Sequence, residues 1–210
     1  MKKVLVLVVL FILPLVAYLF FASGVNNFGK LPVLTEKVTD VSIINPAYTF
    51  KEKITILGFL GNDIAYVKGN LFNLNQKIYK RFYEFNDFQM IMLVPFGEED
   101  KIKSLQKELG ELADPHKWNF VFGNPNQIQE LFSSLKTDLS LNKNLGTPNV
   151  FIIDKENKLR GRDDDEDQKI KYGFNTISVA DLNNKMEDDV KIILAEYRLA
   201  LKKNNANRSK

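Results

Sequence analysis

The sequence predicts an α/β sandwich with a mainly parallel sheet and a terminal hairpin, preceded by one N-terminal transmembrane helix. Three observations carry that reading. Compact β-type runs alternate with stretches whose apolar residues recur at three- and four-residue steps. Residues 54–83 give the pattern in miniature: ITILGF as a strand, a polar turn, then Val67, Leu71, Leu74, Ile78 and Phe82 on one helical face. Residues 4–22 form an uncharged, almost wholly apolar run behind Lys2 and Lys3, long enough at ~1.5 Å per residue to cross a bilayer core.

The anchor comes first. Backbone in hydrocarbon must satisfy its own hydrogen bonds, so the run is expected to be helical despite Pro14. The lysines favour a cytoplasmic N-terminus and send the remainder outward. The rival reading is a cleaved signal peptide ending at Ala22-Ser23-Gly24, although the run exceeds a usual ~7–15-residue signal core. The expected order is a membrane anchor over 1–22, a linker over 23–36, one domain over 37–203 and a basic tail over 204–210.

Within the domain, residues 31–50 read as irregular or strand-like, with apolar Val38, Val41, Ile43 and Ile44 before Asn45-Pro46. Residues 89–96 are continuously apolar, as a strand buried on both faces would be. Residues 98–113 predict a helix with Ile102, Leu105, Leu109 and Leu112 inward and acids at its start. A strand over 118–122 and a helix over 125–135 follow, the helix facing inward with Ile128, Leu131, Phe132 and Leu135. Strands at 150–153 and 158–161 flank the turn Asp154-Lys155-Glu156-Asn157. The acidic run Asp163, Asp164, Asp165, Glu166, Asp167 reads as a solvated excursion. A last helix opens at Ser178 with Asp181 three residues on, and turns Val179, Leu182, Met186, Val190, Ile193 and Tyr197 to the core.

Composition removes several chemistries. At 45% hydrophobic and 26% charged, the 210 residues make one globular domain plus an appendage. Net charge is +3, and Lys2, Lys3, Lys202, Lys203, Arg208 and Lys210 sit at the ends, so nucleic acid is not an expected partner. There is no cysteine, which excludes disulfides, thiolate nucleophiles and thiolate-bound metal. The one histidine, His116, lies in a polar turn, so neither a multi-histidine metal site nor a Ser-His-Asp set can be built within one chain.

Two features resemble a known family. Gly146-Thr147-Pro148 stands directly before a strand, as the cis-proline turn does beside the first active-site loop of the thioredoxin fold. The anchor, the segment Lys117-Trp118-Asn119-Phe120-Val121-Phe122-Gly123 and the hairpin Phe151-Ile152-Ile153-Asp154-Lys155-Glu156-Asn157-Lys158 are similar to those of the Sco/SenC family. The likeness covers about residues 54–162. It implies a thioredoxin-like α/β sandwich with a peroxiredoxin-type insertion, and a link to respiratory-oxidase assembly or envelope redox homeostasis. Family members bind copper through a CxxxC pair in the first loop and a distant histidine. Laid ungapped on this chain, the cysteines fall near Asp63 and Val67 and the histidine near Gly146. None of the three ligands is present, and soft Cu(I) is poorly served by carboxylate or amide.

The expected site is therefore a degenerate active-site loop: Gly61, Asn62, Asp63, Tyr66, Val67, Gly146, Thr147 and Pro148. Asn62 and Asp63 read first as helix caps, and Tyr66 as packing. Gly58, Gly61 and Gly69 do not make a phosphate loop. The acidic run lacks the spaced ligands and internal glycine of a calcium loop, and Met90, Met92 and Met186 have core spacing. The reading that results is a membrane-anchored, non-catalytic binding or assembly module, without a cofactor, on the periplasmic side of a bacterial inner membrane. Its expected partners are the membrane and a protein such as a respiratory-oxidase component or a Cys-bearing paralogue. Two alternatives stand beside it: an enzyme using Asp63 and Tyr66 near Thr147-Pro148, and a structural protein docking through an exposed stripe of Ile193, Tyr197 and Leu201.

Overall fold

The computed structural model describes residues 9–16, 18 and 29–208. Residues 9–16 and Tyr18 are helical, with the apolar side chains from Val9 to Val16 exposed. No described helix is long and apolar enough to cross a membrane. The rest of the 4–22 run, like residues 23–28 of the expected linker, lies outside the described residues.

The domain is a three-layer arrangement around one mixed sheet. Its strands are β1 (Val33–Thr35), β2 (Ile54–Leu60), β3 (Phe88–Pro95), β4 (Trp118–Gly123), β5 (Gly146–Ile153), β6 (Leu159–Arg160) and β9 (Phe174–Asn175). A separate hairpin, β7 (Arg162–Asp165) with β8 (Lys169–Lys171), is inserted after β6. The order across the sheet is β1-β6-β5-β2-β3-β4, with β9 also on β5. Among the described strands, β2/β3 and β3/β4 are parallel, while β5, β6, β1 and β9 all pair antiparallel. The sheet is thus mixed, not mainly parallel: β5 runs antiparallel to β2, and the tight turn to β6 makes the next pair antiparallel as well. Strand β1 already belongs to the fold, so the domain begins inside the stretch expected as linker.

Strand alternation decides which helix covers which face. Ile54, Ile56, Met90, Met92, Val150 and Ile152 point to one side. There they meet α1 (Ile64–Leu74), α2 (Glu99–Gly110) and α4 (Glu187–Arg208). Leu57, Phe59, Ile91, Leu93, Phe151 and Ile153 point to the other, against α3 (Pro125–Ser134) and the segment from Val38 to Phe50. Apart from α2 and β4, the chain runs β2-α1-β3-α3-β5-β6-α4, with α1 and α4 on one face and α3 on the other. This is the thioredoxin-like arrangement; α2 and β4 extend it by one parallel strand.

Several elements differ in detail from expectation. Helix α1 continues through a π turn (Asn75–Tyr79) and a last turn (Lys80–Phe82). That π turn touches a second one (Leu182–Met186) leading into α4. The extra residue lets Asn75 point inward, where its Oδ1 accepts from the Trp118 indole at 3.1 Å. Helix α2 ends at Gly110, so Leu112 lies beyond it and is exposed. Ser178 caps the next helical segment (Val179–Asp181), accepting from the Asp181 N–H. The Asp181 side chain reaches Asn175 N and Lys171 instead of closing a capping box. Val179, in that first turn, is exposed. Ile193 is buried and Tyr197 packs against the core, so the expected exposed stripe on the last helix is not formed by these two. The Leu201 side chain lies outside what is described.

The acidic run is not a free excursion. Asp165 is buried and the Lys185 ammonium lies 2.7 Å from both it and Asp167; Arg162 is bidentate to Asp189. These pairs clamp the β7–β8 hairpin to the start of α4. Burial alone would raise the Asp165 carboxyl, but hydrogen bonds from Lys185 and the Asp167 N–H outweigh it and hold it below the usual range. Hydrogen bonds to Asp165 and Asp167 in turn raise Lys185. The clamp is therefore complete between the ordinary carboxylate and lysine values. It weakens as pH falls through the lowered Asp165 value or rises through the raised Lys185 value. Lys185→Gln should speed amide exchange across residues 162–171 about tenfold at neutral pH, the ratio that ~1.5 kcal/mol of charged hydrogen bonding gives. Unchanged exchange would contradict the clamp.

A second carboxylate organises the segment before β2. Asp40 accepts from Ser42 N (2.8 Å), Phe50 N (3.0 Å), Thr49 Oγ1 (2.9 Å) and Asn157 Nδ2 (2.9 Å). Burial would raise its carboxyl, but the Ser42 and Phe50 N–H groups hold it low. Its contribution is present above the ordinary aspartate value and lost as pH falls through the lowered folded one. Asp40→Ala should cost about 2–3 kcal/mol at neutral pH, with the deficit shrinking in acid. A deficit that stays constant into acid would rule out this ionised role.

Candidate functional site

Parallel, in-register β2, β3 and β4 bring their C-terminal ends to one edge, and antiparallel β5 begins there, with Leu60 opposite Gly146. The predicted loop residues follow β2 or open β5 at this edge. Gly61 leaves β2 with φ of +70°, a conformation costly for any residue with a Cβ. Asn62 N then donates to the Asn144 carbonyl at 3.1 Å. Asn142 shapes the facing turn: its Oδ1 accepts from Asn144 N at 2.9 Å and Gly146 N at 3.0 Å.

The contact between the two loops is backbone against backbone. A Cβ on Gly61 would lie 2.5 Å from the Asn144 carbonyl oxygen, and one on Gly146 2.8 Å from the Leu60 carbonyl oxygen. No side chain fits at either position unless main chain moves.

The remaining loop residues are spread. Asp63 is exposed and caps α1, its carboxylate accepting from Tyr66 N at 3.3 Å. Tyr66 stands 72% exposed, so the expectation that it packs is wrong; the first turn of α1 faces solvent there. Val67 is half-buried one turn below Asp63. Thr147 Oγ1 accepts from Asn149 N, and the Pro148 carbonyl takes both Thr176 N (2.9 Å) and Thr176 Oγ1 (2.6 Å). Described peptide bonds are all trans, so Thr147-Pro148 is not the cis turn that the motif suggests. Pro148 lies inside β5, in extended backbone, because the strand starts two residues earlier.

Chemically the edge offers little. Asp63 acts as a helix cap, and no described group of three or more His, Asp or Glu side chains could hold a metal. The enzyme alternative required Asp63 and Tyr66 in a closed cleft, and both stand in solvent. His116 is a surface histidine 3.2 Å from Asp114. Met90, Met92 and Met186 are fully buried core residues. A surface cleft of about 740 Å³, lined by Val38, Asp40, Lys51 and Asn157, lies at the opposite edge of the sheet.

What the edge does present is apolar surface. Phe96, just past β3, is 63% exposed, and Ile177, beside Pro148, is 53% exposed. With Tyr66 they follow elements that end or start at this edge: Tyr66 in the first turn of α1, Phe96 directly after β3, and Ile177 directly after Thr176, which bonds Pro148. Local pattern could not find them: Phe96 reads as the end of a buried strand, and Ile177 lies in an irregular stretch.

No family model matches the chain, and no curated protein matches it. Among solved structures it is similar to a putative electron transport protein from Aquifex aeolicus, at 18% identity and TM-score 0.47, over 79% of this chain and 96% of that one. It is likewise similar to the apo Sco1 protein from Thermus thermophilus, at 12% and 0.46, over 80% and 98%. A third is a thioredoxin-family thiol:disulfide interchange protein from Chlorobium tepidum, at 13% and 0.46, over 79% and 95%. The fold assignment stands on strand order and pairing themselves.

Proposed function

We propose that this chain is a membrane-tethered, thioredoxin-like module that performs neither thiol redox nor copper transfer and works by binding a protein partner. The observation that carries the reading is the state of three positions. Asp63 is an exposed cap, Val67 a half-buried aliphatic, and Gly146 a glycine closed against the Leu60 carbonyl. Nothing there can hold Cu(I) or cycle a disulfide. The tether is the apolar run 4–22 behind Lys2 and Lys3. It puts the N-terminus in the cytoplasm and the domain on the periplasmic side of a bacterial inner membrane.

The partner surface is the edge of the sheet that carries Tyr66, Phe96 and Ile177, all exposed, where the loop offers no thiol or metal ligand. The Sco/SenC resemblance makes a respiratory-oxidase component or a Cys-bearing relative the partner to look for. The test is capture of the full chain from its native membrane, read by mass spectrometry. Recovery of oxidase subunits or such a relative supports the assembly role, and recovery of unrelated envelope proteins alone removes it. Tight Cu(I) binding or disulfide reduction by the purified chain would overturn the non-catalytic reading. Tyr66→Ser with Phe96→Ser should abolish capture while stability moves by only about 0.5 kcal/mol, as exposed substitutions do. Retained capture would move the partner surface elsewhere.

A further inference from the structure

The chain's positive excess sits at one end. After Glu196 come Arg198, Lys202, Lys203, Arg208 and Lys210, and no acidic residue. With these five set aside, 24 basic residues face 26 acidic ones, so the rest of the chain is net −2.

The fold decides where that end lies. Arg160 Nη2 donates to Glu196 at 2.6 Å, and Nε of the same guanidinium donates to the Leu31 carbonyl at 2.8 Å. One turn of α4 is thus fixed to the point where the N-terminal segment enters the domain. Tyr197 donates to Glu156, and the Lys155 ammonium lies 5.0 Å from the centre of its ring. Tyr197 is the last described side chain of α4 packed on the core, and the helix runs on to Arg208, ~18 Å past Glu196. The residues between Ala22 and Leu31 span at most ~30 Å. Both segments therefore leave the domain together. The direction is also fixed: the helical segment leading into α4 starts beside Pro148, at the Tyr66 edge, and α4 reaches Glu156 at the opposite edge.

We infer that the end of α4 is a membrane-surface contact, binding anionic lipid headgroups through Arg198, Lys202, Lys203 and Arg208. The inference rests on the anchor reading above. A stretch with lysine and arginine and no acidic residue after Glu196 suits a plane of phosphates, and the tether holds it beside one at high effective concentration. The contact sets orientation: with α4's end on the headgroups, the edge that carries Tyr66, Phe96 and Ile177 points away from the bilayer, open to a partner.

The cysteine-free background makes the test direct. The full chain carrying Asn205→Cys, labelled with a fluorophore, is reconstituted into phosphatidylcholine vesicles with or without phosphatidylglycerol. Quenching by acrylamide, a neutral aqueous quencher, should fall about threefold when the anionic lipid is present. High salt, or Lys202→Gln with Lys203→Gln and Arg208→Gln, should restore it. Equal quenching in the two vesicle types overturns the headgroup contact while leaving the anchor standing. Failure of the full chain to float with phosphatidylcholine vesicles overturns the anchor reading, and this inference with it.

Discussion

Replacing Arg160 by methionine should lower the unfolding free energy by roughly 3–5 kcal/mol, the usual cost of removing one partner from a buried ion pair. Arg160 is 4% exposed and Asp154 1%, with Nη1 and Oδ2 3.0 Å apart. Methionine fills most of the volume but leaves the Asp154 carboxylate without its cation and the Leu31 carbonyl without its donor. Asp154 keeps two backbone donors, Glu156 N and Lys158 N, which places the loss toward the lower end of that range. Arg160→Lys retains the charge but cannot reach Leu31, Asp154 and Glu196 from one planar fork, so it should recover only part. Glu196→Gln should cost little, because Glu196 is partly solvated. Urea midpoints for the three variants check the ranking, and a methionine loss below about 1 kcal/mol would sink the claim that this pair secures the N-terminal segment.

Rebuilding the metal ligands should fail at one position and not at the others. Asp63→Cys with Val67→Cys places one thiol at the exposed cap and the other on the half-buried first turn of α1, one helical turn apart, and the variant should fold. Adding Gly146→His should cost about 3 kcal/mol or more, beyond ordinary overpacking, because the obstruction is main chain. The new Cβ meets the Leu60 carbonyl oxygen at 2.8 Å and its carbon at 3.1 Å. The expected result is a folded double variant and a severely destabilised triple variant without the tight Cu(I) binding of a three-ligand site. A stable triple variant that holds Cu(I) more tightly than the double one would show that the edge can reopen. The non-catalytic reading would then rest on the missing side chains alone.

The elements were largely legible because their periodicities are local. The 54–60, 88–95 and 118–123 strands and the helices at 64–74, 99–110 and 125–134 follow apolar spacing within a few residues. Ends were less so: Leu112 kept the helical rhythm after α2 had stopped at Gly110. Strand direction was not legible, since an apolar run reads the same in a parallel and an antiparallel pair. At the site, Asp63's capping role was readable from its place before an apolar-periodic stretch, whereas Tyr66's exposure depends on which way the first turn of α1 faces.

What the sequence determined by itself is the chemical inventory. With no cysteine and one histidine, thiol redox, thiolate metal sites and multi-histidine sites within one chain are excluded before any fold is known. Only the tertiary structure decided which charges are structural and which positions are closed. Arg160 meets a carbonyl 129 residues away, and Asp165 meets a lysine 20 residues on. Gly146 is shut by a strand end contributed by Leu60. Side-chain type and local period are properties of the chain, but desolvation and backbone approach arise only when distant segments share space.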